Sequence, residues 1–391
     1  MGVRILWLSP LPPVRSGVSD YAVEILRPLS QLATVRILSP PSNVEAPQLP
    51  DDLAELLVPN DATPEENEIM VAHFGNNPYH SWILDRCNGH HTVGVVHDLV
   101  LHHLLVHQML DIASAPGEFK AAMKSAYPKE GGALADAREL GLTGRLDPFL
   151  FPALKPLLGG MEALICHSRF GRRQLVRDFP DKRILEMKLP VADPGPVDRW
   201  EIRIKFGIDP DEIVLMHLGF LTPEKGLAPI LGGLAAARRG GVRVRLILVG
   251  DAVGGEEFQI AAKRLGIEDA VTSTGWLEWQ EMTTVAAAAD LGIVLRVPSA
   301  GETSAAVVRF LACGTPCAVI AQRQFLEWSA EVAPRITPGP PMTAEIARLL
   351  MGVSDEATRE RRRSAARAVY QADHRPERAA ETMVRFLADL G

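Results

Sequence analysis

Short, continuous apolar runs recur along the chain, and each is followed by a longer stretch that resembles a helix. Such runs occupy residues 3–9, 34–38, 69–74 and 213–219. They are too short for helices and too uniformly apolar for half-exposed strands, so they predict parallel strands buried on both faces. The repeated order of strand and helix in both halves predicts an α/β fold with two doubly wound parallel sheets.

Residues 291–321 show this pattern clearly, with a strand, a loop, a helix and a second strand in succession. The loop reads Pro-Ser-Ala-Gly-Glu, and the helix is predicted to begin near Thr303 and Ser304. Free backbone N–H groups and the positive end of the helix dipole then point into the loop, and such a helix end can hold phosphate. Gly314 and Pro316 are ordinary signals for the end of that helix.

The length and composition of the chain favour two domains over one. A chain of 391 residues with 47% hydrophobic residues can bury a large core. The run at residues 192–198 is rich in Pro, Gly and Asp, as a linker is. We therefore predict a first domain over residues 1–191 and a second over residues 192–374. A last amphipathic helix, at residues 375–391, is predicted to pack back on the first domain.

Charge and cysteine content narrow the class of partner. The net charge of −7 argues against a nucleic-acid partner. Four cysteines, with Cys313 and Cys317 on either side of a turn, make neither a disulfide framework nor a paired metal-binding spacing. No signal peptide and no apolar stretch of the ~18 residues needed to cross a bilayer is seen. A cytoplasmic protein is expected, and peripheral contact with a membrane-bound acceptor stays open.

Polar residues follow two neighbouring predicted strands in the first half. Asn76, Asn77 and His80 come after one buried strand, and His97 and Asp98 come after the next. The carboxyl ends of parallel strands meet at one edge of a sheet, where open α/β sheets bind their ligands. We therefore expect both groups to face a single site, and a site role is the favoured interpretation of His97.

Two other features have more than one interpretation. His103 and His107 share a helix face at four-residue spacing, which fits a pair of metal ligands, although a third ligand is required. The alternative is that both are surface or core histidines. Gly17 precedes the first helix, where it either lets the backbone approach a ligand or is a plain turn residue.

Several strings resemble a known enzyme family. The segment AGETSAAVVRFLACGTPCAV resembles the donor-sugar segment of the GT-B glycosyltransferases of retaining family 4. HFGNNPYH and VGVVHDLVLHHLL resemble a bacterial subgroup that has both Gly-Asn-Asn-Pro-x-His and His-Asp-x-x-x-His. The resemblance covers nearly the whole chain. It implies a GT-B architecture, with an acceptor-side and a donor-side Rossmann-like domain facing one another across a cleft.

The resemblance also implies roles for individual residues. The family's donor-sugar Glu and diphosphate-binding Lys match Glu302 and Lys225, which with His97 and Asp98 form the implied catalytic set. The implied donor-binding residues are Gly17, Val18, Gly219, Lys225, Trp276, Leu277, Glu302, Thr303, Ser304 and Arg309. Asn76, Asn77 and His80 lie on the implied acceptor side. For Trp276, a buried Trp that packs two layers together is the alternative.

The sequence departs from the family at several positions. Glu302 falls one residue late, and Arg309 stands where the family has a second Glu. Phe220 stands where many members have an Arg that binds phosphate. We interpret Arg309 as a donor-site residue that restores the positive charge missing at Phe220. An Arg on the exposed face of an amphipathic helix is the alternative.

The implied activity is a retaining hexosyltransferase that moves a sugar from a nucleoside-diphosphate sugar to an unidentified acceptor. A UDP- or GDP-sugar is the expected partner. No Asp-x-Asp metal clamp is seen, so no cofactor and no required metal are expected. Two alternatives stay open. A GT-B sugar epimerase or phosphorylase would keep the fold, and a nucleotide-sugar-binding protein without transfer activity would fit Arg309 and Phe220.

Overall fold

The computed structural model describes residues 2–87, 89–252, 255, 257–353 and 355–390. They form two compact units. The first contains the chain up to Pro190, the short segment Ala300–Thr303 and the chain from Pro376 onward, and the second contains Val191–Ser299 and Ser304–Arg375. The division at Pro190 lies one residue before the domain boundary expected from the sequence. The grouping of Ala300–Thr303 with the first unit had no signal in the sequence.

The first unit is built on one parallel sheet. Its strands are β1 (Arg4–Leu8), β2 (Thr34–Leu38), β3 (Leu57–Val58), β4 (Glu68–Phe74), β5 (Thr92–Val96), β6 (Ala163–Cys166) and β7 (Arg183–Glu186). Within the described residues the strand order is β3-β2-β1-β4-β5-β6-β7, and every neighbouring pair is parallel. The order reverses between β1 and β4, which marks the edge where such sheets bind ligands.

Helices connect these strands. They are α1 (Gly17–Leu32), α2 (Asp51–Ala54), α3 (Ser81–Cys87), α4 (His102–Val106), α5 (Pro116–Ala126), α6 (Gly131–Glu139), α7 (Asp147–Leu150), α8 (Leu154–Leu158) and α9 (Arg169–Asp178). A wider, π-helical turn, His107–Ile112, continues α4. All residues of β4 and β5 are buried, as uniformly apolar runs predict.

The second unit repeats the plan. Its strands are β8 (Ile213–Leu218), β9 (Val244–Val249), β10 (Val271–Gly275), β11 (Leu291–Val294), β12 (Cys317–Ile320) and β13 (Arg335–Ile336). Its helices are α10 (Arg199–Lys205), α11 (Leu227–Arg239), α12 (Glu257–Leu265), α13 (Trp279–Ala286), α14 (Ala305–Ala312), α15 (Met342–Gly352) and α16 (Glu356–Asp373). The last helix, α17 (Pro376–Ala388), packs on α1 in the first unit.

The strands of the second unit lie in the order β10-β9-β8-β11-β12-β13 where the structure describes them, and neighbours are again parallel. This order reverses between β8 and β11. The predicted fold of two doubly wound parallel-sheet units is therefore confirmed, and each unit has its own reversal point for a ligand.

Local capping explains where the helices begin and end. The Ser16 hydroxyl accepts from the Val18 N–H at 3.2 Å, so α1 begins at Gly17 itself, which the sequence predicted to precede the helix. Ser168 caps α9, since its hydroxyl accepts from the Gly171 N–H at 3.0 Å. After α14, Gly314 has a φ of 68°, the left-handed conformation that the sequence predicted at this helix end.

Candidate active site

Three histidines meet at the ligand-binding edge of the first sheet. His73 lies near the end of β4, His97 directly follows β5 and His167 directly follows β6. Nδ1 of His73 lies 2.9 Å from Nε2 of His97, and the His97 and His167 ring centroids are 5.1 Å apart. Tyr21 of α1 packs edge-on against His97, at 4.9 Å between centroids. The strand ends thus bring His97 into a compact aromatic cluster.

The environment of this cluster keeps the imidazoles of His73 and His97 neutral. Burial lowers the pKa of His73 and of His97 well below the ordinary range, and charge on neighbouring histidines would lower both further. Burial also raises the pKa of Tyr21, whose hydroxyl has no hydrogen-bond partner among the described residues. A neutral imidazole has one donor and one acceptor nitrogen, so His97 suits contact with a hydroxyl better than contact with an anion.

Asn76 joins the ends of two strands to α4. Its backbone N–H donates to a carboxylate oxygen of Asp98 at 2.8 Å, and its side-chain oxygen accepts from the His103 N–H at 2.8 Å. The His80 ring donates through Nδ1 to the carbonyl of His73 at 2.8 Å. Burial lowers the pKa of His80 to about 4, so this ring is neutral as well. The structure therefore brings Asn76, His80, His97 and Asp98 to one edge.

Asn77 has a local role. Its side chain accepts from the Tyr79 N–H at 3.0 Å and so caps the short turn Pro78–His80. Gly75 precedes this turn, and a Cβ there would lie 2.7 Å from Nε2 of His80. These contacts fix the direction in which the chain leaves β4.

The predicted glycine loop after β1 is part of the α1 start. The Val18 N–H is used in the Ser16 cap, and open space surrounds the position that a Cβ on Gly17 would take. Ser19 is buried, and its hydroxyl has no hydrogen-bond partner in the described part of the chain.

The loop that carries Glu302 is held against the end of β5. The Leu99 N–H donates to the carbonyl of Ala300 at 3.0 Å. Gly301 has a φ of 80°, and a Cβ there would lie 2.7 Å from the side chain of Leu99. Glu302 is 8% exposed. The backbone therefore places the segment with Glu302 beside residues that follow His97 in sequence.

Three glycines shape the corresponding edge of the second sheet. Gly219, Gly250 and Gly275 stand at the carboxyl ends of β8, β9 and β10 with positive φ angles of 106°, 132° and 70°. The Gly219 N–H donates to Val249 at 2.9 Å, and the Gly250 N–H donates to the Gly275 carbonyl at 2.8 Å. A Cβ on Gly250 would lie 2.4 Å from the Gly219 oxygen, so only glycine permits this close approach.

Phe220 and Trp276 lie together next to these glycines. Their ring centroids are 5.3 Å apart, with planes tilted by 32°. The Trp276 N–H donates to the carboxylate of Asp251 at 2.9 Å, which fixes the backbone after β10. Leu277 follows Trp276 and is partly exposed. An aromatic pair thus occupies the position at which the family resemblance led us to expect an arginine.

Lys225 lies at the reversal point of the second sheet. It ends the short turn Pro223–Lys225, and Gly226, with a φ of 66°, leads into α11. Buried His217 at the end of β8 has its pKa lowered to about 3, first by burial and then by the positive charge of Lys225. The lysine charge therefore acts at the end of β8, where the sheet order reverses.

Arg309 is buried, so its placement on an exposed helix face is wrong. The residue is 3% exposed, and its Nη1 donates to the hydroxyl of Thr283 at 3.0 Å. Its guanidinium lies 5.6 Å from the centre of the Trp279 ring. Arg309 packs α14 against α13, and its donor role stays a prediction. Ser304 precedes α14 without capping it through its side chain, and the buried hydroxyl of Thr303 has no hydrogen-bond partner among the described residues.

The metal-ligand interpretation of His103 and His107 finds no third ligand. Nδ1 of His107 lies 3.1 Å from a carboxylate oxygen of Asp111. In the described part of the chain, His, Cys, Asp and Glu side chains do not gather in groups of three that could hold a metal ion. None of the helices described there combines the length and apolar character that a bilayer span requires.

His73, Tyr21 and Asp251 were missed by sequence reasoning. The only signal for His73 was its place inside an apolar strand among many histidines, and Tyr21 and Asp251 carried none.

A match to a protein family covers most of the second unit. Residues 198–368 match the family described as glycosyl transferases group 1. The second unit is therefore similar to the group 1 glycosyltransferases over most of its length. Lys225, Trp276 and Arg309, three of the predicted donor residues, lie within the matched segment. The resemblance inferred from the sequence is thereby confirmed at the level of group 1 glycosyltransferases, and its assignment to family 4 stays a prediction.

Curated relatives match the chain over part of their length. The D-inositol 3-phosphate glycosyltransferase of Segniliparus rotundus is 35% identical over 141 residues, which are 33% of this chain and 31% of that protein. The 2-deoxystreptamine glucosyltransferase of Streptomyces kanamyceticus is 26% identical over 183 residues, which are 45% of this chain and 46% of that protein. The matched regions thus span less than half of each relative.

Solved structures match the fold of the whole chain. Anabaena HepE, crystallised in complex with UDP-glucose, has a TM-score of 0.67 at 17% identity and covers 99% of both chains. Sucrose-phosphate synthase from Thermosynechococcus elongatus has a TM-score of 0.66 at 15% identity, again over 99% of both chains. The likeness establishes the GT-B fold for the chain.

Proposed function

We propose that the chain is a retaining family 4 glycosyltransferase that moves a hexosyl group from a nucleoside-diphosphate sugar to an acceptor. The observation that carries the proposal is the position of Lys225 in a group 1 domain, at the reversal point of the sheet and directly ahead of α11. A UDP- or GDP-sugar is the proposed donor class. The solved Anabaena relative was crystallised with UDP-glucose, which supports a nucleotide sugar.

The chemical barrier is cleavage of the bond between the sugar carbon C1 and the phosphate oxygen. The electron pair of that bond moves to the departing diphosphate, so positive charge near this group lowers the barrier. In the proposal, Lys225 supplies this charge, and the uncapped backbone N–H groups at the start of α14 add hydrogen bonds. The acceptor oxygen attacks C1 on the face that the diphosphate leaves, and its proton passes to a phosphate oxygen.

The first-unit residues act on the sugar in this proposal. His97 is neutral and lies at a strand end, so it can bond a sugar hydroxyl without attracting the phosphate. Glu302 accepts hydrogen bonds from sugar hydroxyls, and Asp98 holds the backbone of Asn76 in place. Asn76 and His80 shape the acceptor side, and Asn77 fixes the turn between them. No step requires a metal ion.

A second candidate function rests on Phe220. This residue stands where many family members have a phosphate-binding Arg, and it packs against Trp276. A protein that binds nucleotide sugars without transferring them would tolerate the loss of that charge. A GT-B epimerase or phosphorylase would also keep the fold. The proposed location is the cytoplasm, with peripheral membrane contact if the acceptor is a lipid.

A donor screen followed by product analysis tests the proposal. Thermal shifts with UDP-, GDP-, ADP- and dTDP-sugars identify the donor, with Lys225→Ala as the negative control. Incubation with an acceptor panel, with and without EDTA, should give a glycoside that keeps the anomeric configuration of the donor. Donor binding without any product would favour the binding protein. Conversion of the donor without an acceptor would favour the epimerase, and dependence on a metal would exclude the proposed mechanism.

A further inference from the structure

A cluster of arginines surrounds one buried carboxylate in the second unit. Asp290 directly precedes β11, is 3% exposed and accepts from the Val214 N–H of β8 at 2.8 Å. It therefore lies at the amino ends of the strands, at the sheet edge opposite to the one that carries Lys225. Four guanidinium groups lie within ion-pairing distance of its carboxylate. They belong to Arg199, Arg203, Arg359 and Arg363.

One carboxylate does not balance four guanidinium groups. Arg363 lies 3.5 Å from the nearer oxygen of Asp290, and Arg359 lies 3.8 Å from the same oxygen. Burial, and after it the nearby charge of Arg199, lower the pKa of Arg363 to about 10 against the opposite effects of Asp290 and Glu360. Four guanidinium groups around one carboxylate place more positive than negative charge at this point. An additional anion at this place would relieve the excess.

Part of this cluster faces an open pocket. A cavity of about 490 Å³ lies between the linker around Pro194, the end of α14 and one face of α16. Arg199, Arg363 and Arg367 line it, with Glu360 as its one lining acid among the described residues. This volume is within the range of roughly 300–1,000 Å³ that is usual for small-molecule sites.

Fixed contacts hold the lining arginines in place. Arg367 pairs with both carboxylate oxygens of Asp193, at 2.9 and 2.6 Å. Arg363 donates to the carbonyl of Ala289 at 2.9 Å. Because a guanidinium has five N–H donors in a rigid plane, these contacts orient each group and leave donors for a ligand. Planar, oriented guanidinium groups match the geometry of phosphate oxygens.

We propose that this pocket, here called the arginine pocket, binds a phosphate-bearing small molecule at a site separate from the donor residues. The oxygens of the phosphate accept from Arg363 and Arg199, and the rest of the ligand lies toward the linker and the end of α14. The ligand would thus contact the segment that joins the second unit to Pro190 and also contact α16. The second unit would then have two phosphate sites, one at Lys225 and one in the arginine pocket.

Titration of the chain of 391 residues with phosphate at low ionic strength, measured by calorimetry and by ³¹P NMR, tests the arginine pocket. Inorganic phosphate and pyrophosphate serve as probes. Ser364 lines the pocket on α16 and is exposed, so it can be replaced without disturbing the core. Ser364→Glu adds a carboxylate to the pocket and should weaken phosphate binding by about tenfold or more. Ser364→Gln, which has nearly the same size and no charge, should bind as the parent does.

Two further variants separate this site from the donor residues. Arg363→Gln should weaken phosphate binding, whereas Arg361→Gln, a change at an exposed position of the same helix, should not. Lys225→Ala should retain binding at the arginine pocket. The proposal is overturned if the parent binds neither probe, if Ser364→Glu and Ser364→Gln bind equally well, or if Lys225→Ala abolishes all phosphate binding. Melting curves of each variant show that the fold is kept.

Discussion

The two sheet edges that carry the predicted site residues differ in whether side chains or backbone form their surface. At the first edge, side chains form the surface, and His73, His97 and Tyr21 pack ring against ring. At the second edge, the backbone forms the surface, and Gly219 and Gly250 remove side chains from it. Burial keeps the histidines of the first edge neutral, and the second edge carries the charge of Lys225.

This difference suggests a division of labour within one proposed reaction. A neutral aromatic edge discriminates among hydroxyl groups, because its hydrogen bonds are directional and it attracts no anion. A backbone edge with a lysine attracts phosphate, whatever sugar is attached to it. Changes at the first edge should therefore alter turnover, and changes at the second should alter donor affinity.

Acid should produce the largest effect, because it charges the histidines of the neutral edge. His73, His80 and His97 have folded-state pKa values below their unfolded value of about 6.5. The unfolded chain then binds more protons below that pH, so stability is retained above about 6.5 and declines as the pH falls, by up to ~1.4 kcal/mol per pH unit for each histidine. Melting temperatures should fall between pH 7.5 and 4.5, and the free energy of unfolding should decrease by several kcal/mol overall.

The variant His80→Gln provides the control for this titration. Its melting temperature should depend less steeply on pH between about 6.5 and 4, since one of the buried imidazoles is gone. A parent protein equally stable at pH 7.5 and 4.5 would contradict the neutral state of the histidine cluster.

His97→Ala should sharpen the contrast in kinetics. We expect kcat to fall by about 100-fold, because a hydrogen bond next to the reacting sugar is lost. Affinity for the free nucleoside diphosphate should be unchanged, since the residue belongs to the neutral edge. Steady-state kinetics and calorimetry measure the two quantities, and His107→Ala, at a partly exposed position beyond α4, is the matched control. An equal loss of diphosphate affinity would show that His97 acts on the phosphate.

Lys225→Ala should have the mirror-image effect. Loss of one charged phosphate contact is expected to weaken donor binding by about 1.5–3 kcal/mol, or roughly 10- to 150-fold. The melting temperature should stay close to that of the parent, because Lys225 is not a core residue. Lys205→Ala removes an exposed lysine of the same unit and should leave donor binding intact. Parent-like affinity and turnover in Lys225→Ala would remove the lysine from the proposed mechanism.

Arg309 provides the smallest expected effect. Arg309→Gln should lower donor affinity by about threefold if the buried charge acts on the donor from a short distance. Thr283→Val removes the partner of Arg309 without removing the charge, so it should lower the melting temperature but keep donor affinity. Equal donor affinity in the parent and in Arg309→Gln would limit Arg309 to packing α14 against α13.

Much of the fold follows directly from the sequence. The strand at residues 34–38 was predicted at the residues where it occurs, because the signal of an apolar run is local. Gly17 lies inside α1 and not before it, because the Ser16 side chain caps the first turn. These features depend on neighbouring residues alone.

The site was less predictable because its contacts join distant parts of the chain. The positions of Asn76 and His97 followed from strand ends, but the packing of His73 against Tyr21 depends on how α1 lies over the sheet. The burial of Arg309 depends on Thr283 of a neighbouring helix. The Leu99 N–H donates to the Ala300 carbonyl, and the loop Ala300–Thr303 belongs to the first unit. Its place in the sequence would have assigned it to the second unit.

The three glycines of the second edge set a practical limit on attempts to redesign this protein. A library that diversifies Gly250 would mostly yield misfolded chains, because any side chain would collide with the Gly219 carbonyl. Directed evolution of the proposed donor preference therefore has to work through Phe220, Trp276 and Leu277, which follow the strands β8 and β10 at this edge. Mutational tolerance at this edge should consequently alternate sharply, with forbidden backbone positions next to permissive aromatic ones.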